Sequence, residues 1–177
     1  MAKTLDKSFS NIKFLAMDVD GVLTDGKLYF GRNPDPMVAF HVQDGFGLQL
    51  ARAAGIRIAW ITGRKNISIL ARSRELEIDD VVMGITDKLA TLQELLTRHN
   101  LFFSHTAFIG DDIVDIPVVG AVGLGVAVAD AVPDVKEAAD YITTRGGGAG
   151  AVREVVDLIL KRSGRWDTAL KKVLRGC

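Results

Sequence analysis

Two carboxylates, Asp18 and Asp20, stand directly after an apolar run in the segment FLAMDVDGVLTDG. A carboxylate is a nucleophile, and beside other carboxylates it also holds a proton more tightly than usual. The pair can therefore divide the work: Asp18 attacks an electrophilic phosphorus, while Asp20 protonates the leaving oxygen and later deprotonates water. Gly21 lets the chain turn sharply behind them. On its own, Asp-x-Asp is more often a loop of solvated aspartates, but three further groups change its meaning. Thr62-Gly63-Arg64 brings a hydroxyl, free backbone N–H groups and a guanidinium to a helix start, which suits a phosphate, although Thr-Gly also serves as a plain turn and cap. Lys88 follows Thr86-Asp87 at another helix start, where a cation opposes the helix dipole unless it faces an anion. After TAFIG come Asp111, Asp112 and Asp115, any of which could cap a helix. Taken together, these residues offer hard oxygen ligands for Mg²⁺ and cations for phosphate oxygens.

Such a set needs a scaffold that delivers every group to one edge. Short apolar runs alternate with longer amphipathic stretches, the pattern of a doubly wound α/β fold with a parallel sheet covered on both faces. The spacing predicts strands at Ile12 to Met17, Ile56 to Ile61, Val81 to Met83, Thr106 to Ile109, Gly123 to Val128 and Tyr141 to Thr143. Helices are predicted over 45–54, 65–76, 87–99, 132–139 and 150–161, with Pro133 suited to a first turn. Asp18, Thr62 and Asp111 then follow strand C-terminal ends, where open sheets place ligands. KLYF, GRNPDP and MVAFHV read as a β-hairpin from Lys27 to His41, and the Gly146 to Gly150 run reads as a flexible lid. No repeat, linker or low-complexity tract divides the chain, so residues 1–177 are expected to form one domain.

With 48% hydrophobic and 25% charged residues, 177 residues suffice for a full core. The 22 Lys and Arg balance the 22 Asp and Glu, so no net field recruits nucleic acid or an anionic membrane, and local charge must select a small substrate. Cys177 is the single cysteine, which rules out an intrachain disulfide. The start MAKTLDKSFSNIKF lacks a signal-peptide apolar stretch, and no run approaches the ~20 residues of a membrane span, so a cytoplasmic location is expected. His99 and His105 lack metal-ligand spacing and read as surface or capping residues. Trp60 reads as core, and the basic tail with Trp166 as a short amphipathic helix.

The order DxDG, T-G-R, K and GDDxxD resembles the haloacid dehalogenase superfamily. The resemblance implies Asp18 and Asp111 as magnesium ligands with the backbone carbonyl of Asp20, Thr62 and Lys88 as phosphate and charge stabilisers, and Asp112 and Asp115 in support. DVDGVLTDG, AFHVQDGFG, ITGRK, GDDIVDIPVV, VAVADA and GAVREVVDLIL look like the subgroup without a cap domain, which includes the 3-deoxy-D-manno-octulosonate 8-phosphate phosphatases. That similarity implies a phosphorylated sugar acid as substrate, contacted by Asp20, His41, Val42, Gln43, Asp44, Gly45, Gln49, Gly63, Arg64, Arg72 and Lys88. Gln43, Gln49 and Ala149 stand where such relatives usually carry a basic residue, and three fewer cations would weaken or redirect binding of an anion. Arg64 favours the octulosonate reading, since the sister nonulosonate 9-phosphate phosphatases tend to carry a glutamate there.

Rival readings differ in testable features. A dehalogenase would not ordinarily carry Asp20, because it has no alkoxide to protonate. A receiver domain carries its phosphorylated aspartate on a middle strand and not beside DxDG. A non-catalytic phosphatase-like module would not need every catalytic position filled. About 40 residues separate Asp20 from Thr62, too few for a separate cap. Leu28, Phe30, Val38 and Phe40 on the hairpin therefore predict a homo-oligomer, with a tetramer favoured, whose subunits roof each other's sites. The resemblance agrees, since capless relatives form tetramers through such hairpins.

Overall fold

A computed structural model of the chain describes residues 9–32 and 35–175. Its strands are β1 (Phe14–Met17), β2 (Arg57–Thr62), β3 (Asp80–Met83), β4 (Thr106–Gly110), β5 (Leu124–Ala127) and β6 (Tyr141–Ile142). They form one all-parallel sheet in the order β3-β2-β1-β4-β5-β6. The chain winds outward from β1 in one direction and then restarts at β4 in the other. The switch point therefore lies between β1 and β4, where open sheets leave a crevice beyond the strand ends. Met17 is in register with Trp60 and Ile109, so Asp18 leaves the sheet one residue short of the level of Thr62 and Asp111.

All four residues of β1 are buried, as expected of a central strand covered on both faces. Phe14, Leu15 and Met17 are inaccessible to solvent, and each large apolar side chain so buried contributes about 1.5–3 kcal/mol. This packing holds rigid the strand that carries Asp18. The covering helices are α1 (Val42–Ala53), α2 (Ile67–Glu75), α3 (Lys88–Arg98), α4 (Ile116–Val119), α5 (Pro133–Ala138), α6 (Ala151–Arg162) and α7 (Trp166–Arg175). None is long and apolar enough to cross a membrane among the described residues.

Caps account for most differences from the predicted boundaries. Asn66 Oδ1 accepts from Ser68 N at 2.7 Å and Asp87 Oδ1 from Ala90 N at 2.9 Å, so α2 and α3 start just after these residues. α1, expected from residue 45, starts three residues earlier, with His41 as its N-cap and Val42 to Gly45 in its first turn. The short α4 was not foreseen, because a four-residue helix shows no periodicity. The C-terminal helix expected from the tail is present as α7, with Lys161 Nζ 4.7 Å from the Trp166 ring centroid.

Two expectations are corrected. The hairpin is a single antiparallel bridge, Tyr29 with Met37, closed by hydrogen bonds of 3.2 and 3.0 Å. Its turn residues Asn33 and Pro34 lie outside the described residues, as do residues 1–8 and Cys177. An isolated two-stranded ribbon is marginal, and among the described residues no third strand extends this one. Phe40, expected to lack cover, stacks on Trp60 at 6.1 Å, and Asn66 Nδ2 holds Pro36 O at 2.9 Å. Phe30 stays 73% exposed. The Gly146 to Gly150 run is a packed buttress and not a lid. Gly148 N donates to Val22 O at 3.0 Å, Gly147 N to Asp130 Oδ1 at 2.8 Å, and a Cβ on Gly147 would overlap Gly21 O. Glycine is required there because two backbones touch.

Candidate active site

β1 ends by handing its ladder to the site: Asp18 N donates to Ile109 O at 3.0 Å, which fixes the Asp18 backbone against β4. Gly21 follows with φ +90, and a Cβ there would overlap Asp111 Oδ2. The first turn after β1 and the loop after β4 thus fit together only with glycine between them.

The α3 start supplies Lys88, which is 5% exposed. Its Nζ lies 2.6 Å from Asp115 Oδ1 and 3.0 Å from Asp18 Oδ1. Burial works against this ammonium, but Asp18 and Asp115 outweigh it and hold its pKa above the ordinary lysine value. Asp115 is fully buried, and its Oδ2 accepts from Asp111 N at 3.0 Å and Asp112 N at 3.4 Å. One residue therefore shapes the Asp111 loop and anchors the lysine. Asp112 is exposed and accepts from Ile113 N at 2.7 Å, a capping contact.

One carboxylate oxygen from each of Asp18, Asp111 and Asp115 lies within 4.8 Å of the others. Asp111 Oδ1 is buried without a hydrogen-bond partner, and Asp18 Oδ1, also buried, meets the Lys88 ammonium at 3.0 Å. The carboxyl of Asp111 is pushed up to about 8, chiefly by burial and then by Asp18 and Asp115, and that of Asp18 to about 6 by burial against the pull of Lys88. Crowded, buried hard oxygens whose charge is disfavoured are what a divalent cation relieves, so this donor set fits Mg²⁺. Asp115 has both oxygens engaged, which leaves Asp111 and Asp18, paired only with Lys88, as the more available donors.

Across the crevice, β2 delivers Thr62. Its Oγ1 donates to Asp20 Oδ2 at 3.4 Å and accepts from Arg64 N at 3.1 Å, while Arg64 Nε reaches the same Asp20 oxygen at 3.3 Å. A cavity of about 580 Å³ opens here, lined by Asp18, Asp20, Thr62, Gly63, Arg64 and Lys88 with Ile85, Thr86 and Val114. These walls were missed from sequence; the exposed Ile113-Val114 pair inside GDDIVD was the available signal.

The other sequence-predicted residues lie elsewhere in this chain. Asp44 is buried and accepts from Gly150 N at 3.3 Å and Arg153 N at 2.7 Å, so it caps α6. Gln43 accepts from Arg145 at 2.8 Å beside a separate cavity of about 440 Å³, and Gln49 lines a third with Arg52 and Lys172. Arg72 pairs with Glu75 at 2.7 Å and packs against Gly45. Val42 is exposed, and His41 Nδ1 is buried without a partner. His99 contacts Asp80 at 2.7 Å and His105 Nδ1 accepts from Phe102 N at 3.3 Å, both structural contacts.

Known proteins share this sequence pattern and fold. Residues 80–153 match the family of haloacid dehalogenase-like hydrolases. The 3-deoxy-D-manno-octulosonate 8-phosphate phosphatase KdsC of Escherichia coli is 45% identical over 159 residues, covering 90% of this chain and 85% of the relative. The structure of the phosphatase of that name from Moraxella catarrhalis, in complex with magnesium ion, phosphate ion and a KDO molecule, superposes with TM-score 0.89. It is 41% identical, with 93% of this chain and 95% of that one covered. The Yersinia pestis phosphatase structure gives TM-score 0.87 at 42% identity, over 90% and 86% of the two chains. Identity at this level across nearly the full length, on the same sheet, leaves no room for a different lineage: the chain belongs to the 3-deoxy-D-manno-octulosonate 8-phosphate phosphatase family of haloacid dehalogenase-like hydrolases.

Proposed function

We propose that the chain is a magnesium-dependent phosphomonoesterase that releases phosphate from 3-deoxy-D-manno-octulosonate 8-phosphate through an aspartyl-phosphate on Asp18, in the cytoplasmic synthesis of lipopolysaccharide precursors. The observation that carries this reading is the convergence of Asp18, Asp111, Lys88 and Thr62 on one crevice at the switch point. The Asp18 carboxylate attacks phosphorus in line with the ester oxygen, and Asp20 gives that oxygen its proton as the bond breaks. Water then attacks the aspartyl-phosphate, losing a proton to Asp20, and the electron pair returns to Asp18. Lys88 and Thr62 bind the phosphoryl oxygens, and Asp115 keeps Lys88 aimed. Asp18, Asp111 and the Asp20 carbonyl would hold Mg²⁺, which when bound neutralises charge on the transferring group.

The whole chain acts as one domain in this reading. Gly63 and Arg64 receive the substrate in the chain that carries Asp18. His41, Val42, Gln43, Gln49 and Arg72, away from that cavity, contribute where a second copy closes over it, while buried Asp44 and Gly45 hold the turn that presents them. Exposed Tyr29, Phe30 and Met37 support such a homo-oligomer, with a tetramer favoured. The test is phosphate release from a panel of phosphorylated sugar acids and common sugar phosphates, with and without Mg²⁺. Fastest turnover on the octulosonate ester, lost with chelator, supports the reading; preference for a nonulosonate 9-phosphate would redirect it, and no release from any ester would favour a phosphatase-like module.

A further inference from the structure

Arg64 reaches Asp20 twice. Its guanidinium Nε donates directly to Asp20 Oδ2 at 3.3 Å, and its backbone N–H donates at 3.1 Å to Thr62 Oγ1, whose own hydroxyl hydrogen goes to that oxygen at 3.4 Å. The contacts close a ring around one carboxylate oxygen. The other, Oδ1, is buried with no partner, so the carboxyl group is held at both ends, one oxygen by these donors and the other by its enclosure. An ion pair this open to solvent, with the Arg64 side chain 42% exposed, adds little to stability, so fold maintenance does not account for it. Its other effect is to deny the Asp20 side chain its alternative rotamers. Proton transfer demands that restriction, because donor and acceptor must come within hydrogen-bond reach as the ester bond breaks.

We propose that Arg64, beyond receiving substrate, is a positioning residue for proton transfer: with Thr62 it fixes the Asp20 carboxyl group toward the departing ester oxygen. The inference rests on Asp20 being the acid, as proposed above. In the first step the Asp18 oxygen bonds to phosphorus, the P–O ester bond breaks, and its electron pair on the ester oxygen takes the Asp20 proton. An alkoxide cannot leave without that proton, whereas p-nitrophenolate leaves as a stable anion. The need for a well-placed Asp20 therefore depends on the leaving group.

The experiment measures kcat/KM, which reports only steps up to loss of the leaving group, with Mg²⁺ present, on two esters that lack a carboxylate: a neutral sugar phosphate and p-nitrophenyl phosphate. Wild type, Arg64→Ala, Arg64→Gln and Asp20→Asn are compared, each checked for an unchanged thermal midpoint. Both Arg64 variants should lose about ten- to a hundredfold on the sugar phosphate, a part of the roughly 10²–10⁴ that acid catalysis supplies, and only a few-fold on the aryl ester. Equal losses on both esters would overturn the inference by assigning Arg64 to the phosphate. Near-wild-type values on both, with a loss confined to the sugar acid, would overturn it by assigning Arg64 to the carboxylate alone. Asp20→Asn separates the two levels. If it too spares the aryl ester, the acid role stands whatever Arg64 does; if it lowers both esters alike, the acid role falls and the inference with it.

Discussion

Gly21 and Asp111 share one space: the carboxylate of Asp111 lies where any Cβ on Gly21 would be, and Gly147 presses on the far side of the same turn. The geometry around Asp111 thus depends on two residues with no functional group. Gly21→Ala is expected to displace Asp111 and abolish the thermal shift that Mg²⁺ gives the wild type, with kcat falling more than about a hundredfold. Gly147→Ala should weaken the same shift, because its Cβ would push the turn toward Asp111. Calorimetric melting against Mg²⁺ concentration checks both; wild-type shifts in either variant would refute the packing argument.

The raised carboxyls set a pH dependence. Asp18 and Asp111 ordinarily lose their protons near 3.8 but are held to about 6 and about 8 in the fold, mainly by burial. The folded state therefore binds more protons than the unfolded chain between about pH 4 and 8. Stability from these groups is full below the unfolded value and declines as pH rises through the folded values. The metal-free protein is expected to melt at lower temperature at pH 8 than at pH 5.5. Mg²⁺ competes with those protons, so its stabilisation and apparent affinity should both increase with pH. A metal-free melting temperature that rises over this interval would contradict the assignment.

Lys88 is buried between Asp18 and Asp115, and removing one member of such a set strands the others. Lys88→Met is expected to destabilise the fold by about 3–5 kcal/mol and to remove turnover even where the protein remains folded. Asp115→Asn keeps the shape but weakens the hold on the Asp111 and Asp112 amides, so it should raise the Mg²⁺ requirement as well as lower kcat. Chemical denaturation and Mg²⁺ titration of activity separate these effects.

If copies close each other's sites, activity should fall on dilution together with mass measured by light scattering. Asp18→Asn chains mixed with Arg72→Ala chains should then recover activity that neither has alone. A fully active monomer would show that each site is complete in itself.

Much of the site was legible in sequence because its groups sit at strand ends, and strand ends follow from apolar runs: FLAM, WIT and TAFIG placed Asp18, Thr62 and Asp111 correctly beside one another. What escaped depends on contacts distant in sequence. Asp44 looked like a ligand contact and is a cap for α6, some hundred residues later, and GGGAG looked mobile although it packs on the Asp18 loop. Composition cannot reveal that a glycine is small because a particular backbone is near. The hairpin forms but is shorter than expected for a related reason, since alternation describes strands but not whether a sheet exists to receive them.

The nucleophile can be tested most directly by trapping the intermediate: quench the enzyme during turnover with substrate and Mg²⁺, reduce with borohydride, and map the peptides by mass spectrometry. An aspartyl-phosphate on Asp18 becomes homoserine at position 18, appearing only with substrate and absent from Asp18→Asn, whose phosphate release should fall below about a hundredth of wild type. Homoserine at another position, or steady turnover by Asp18→Asn, would contradict a reaction built on Asp18.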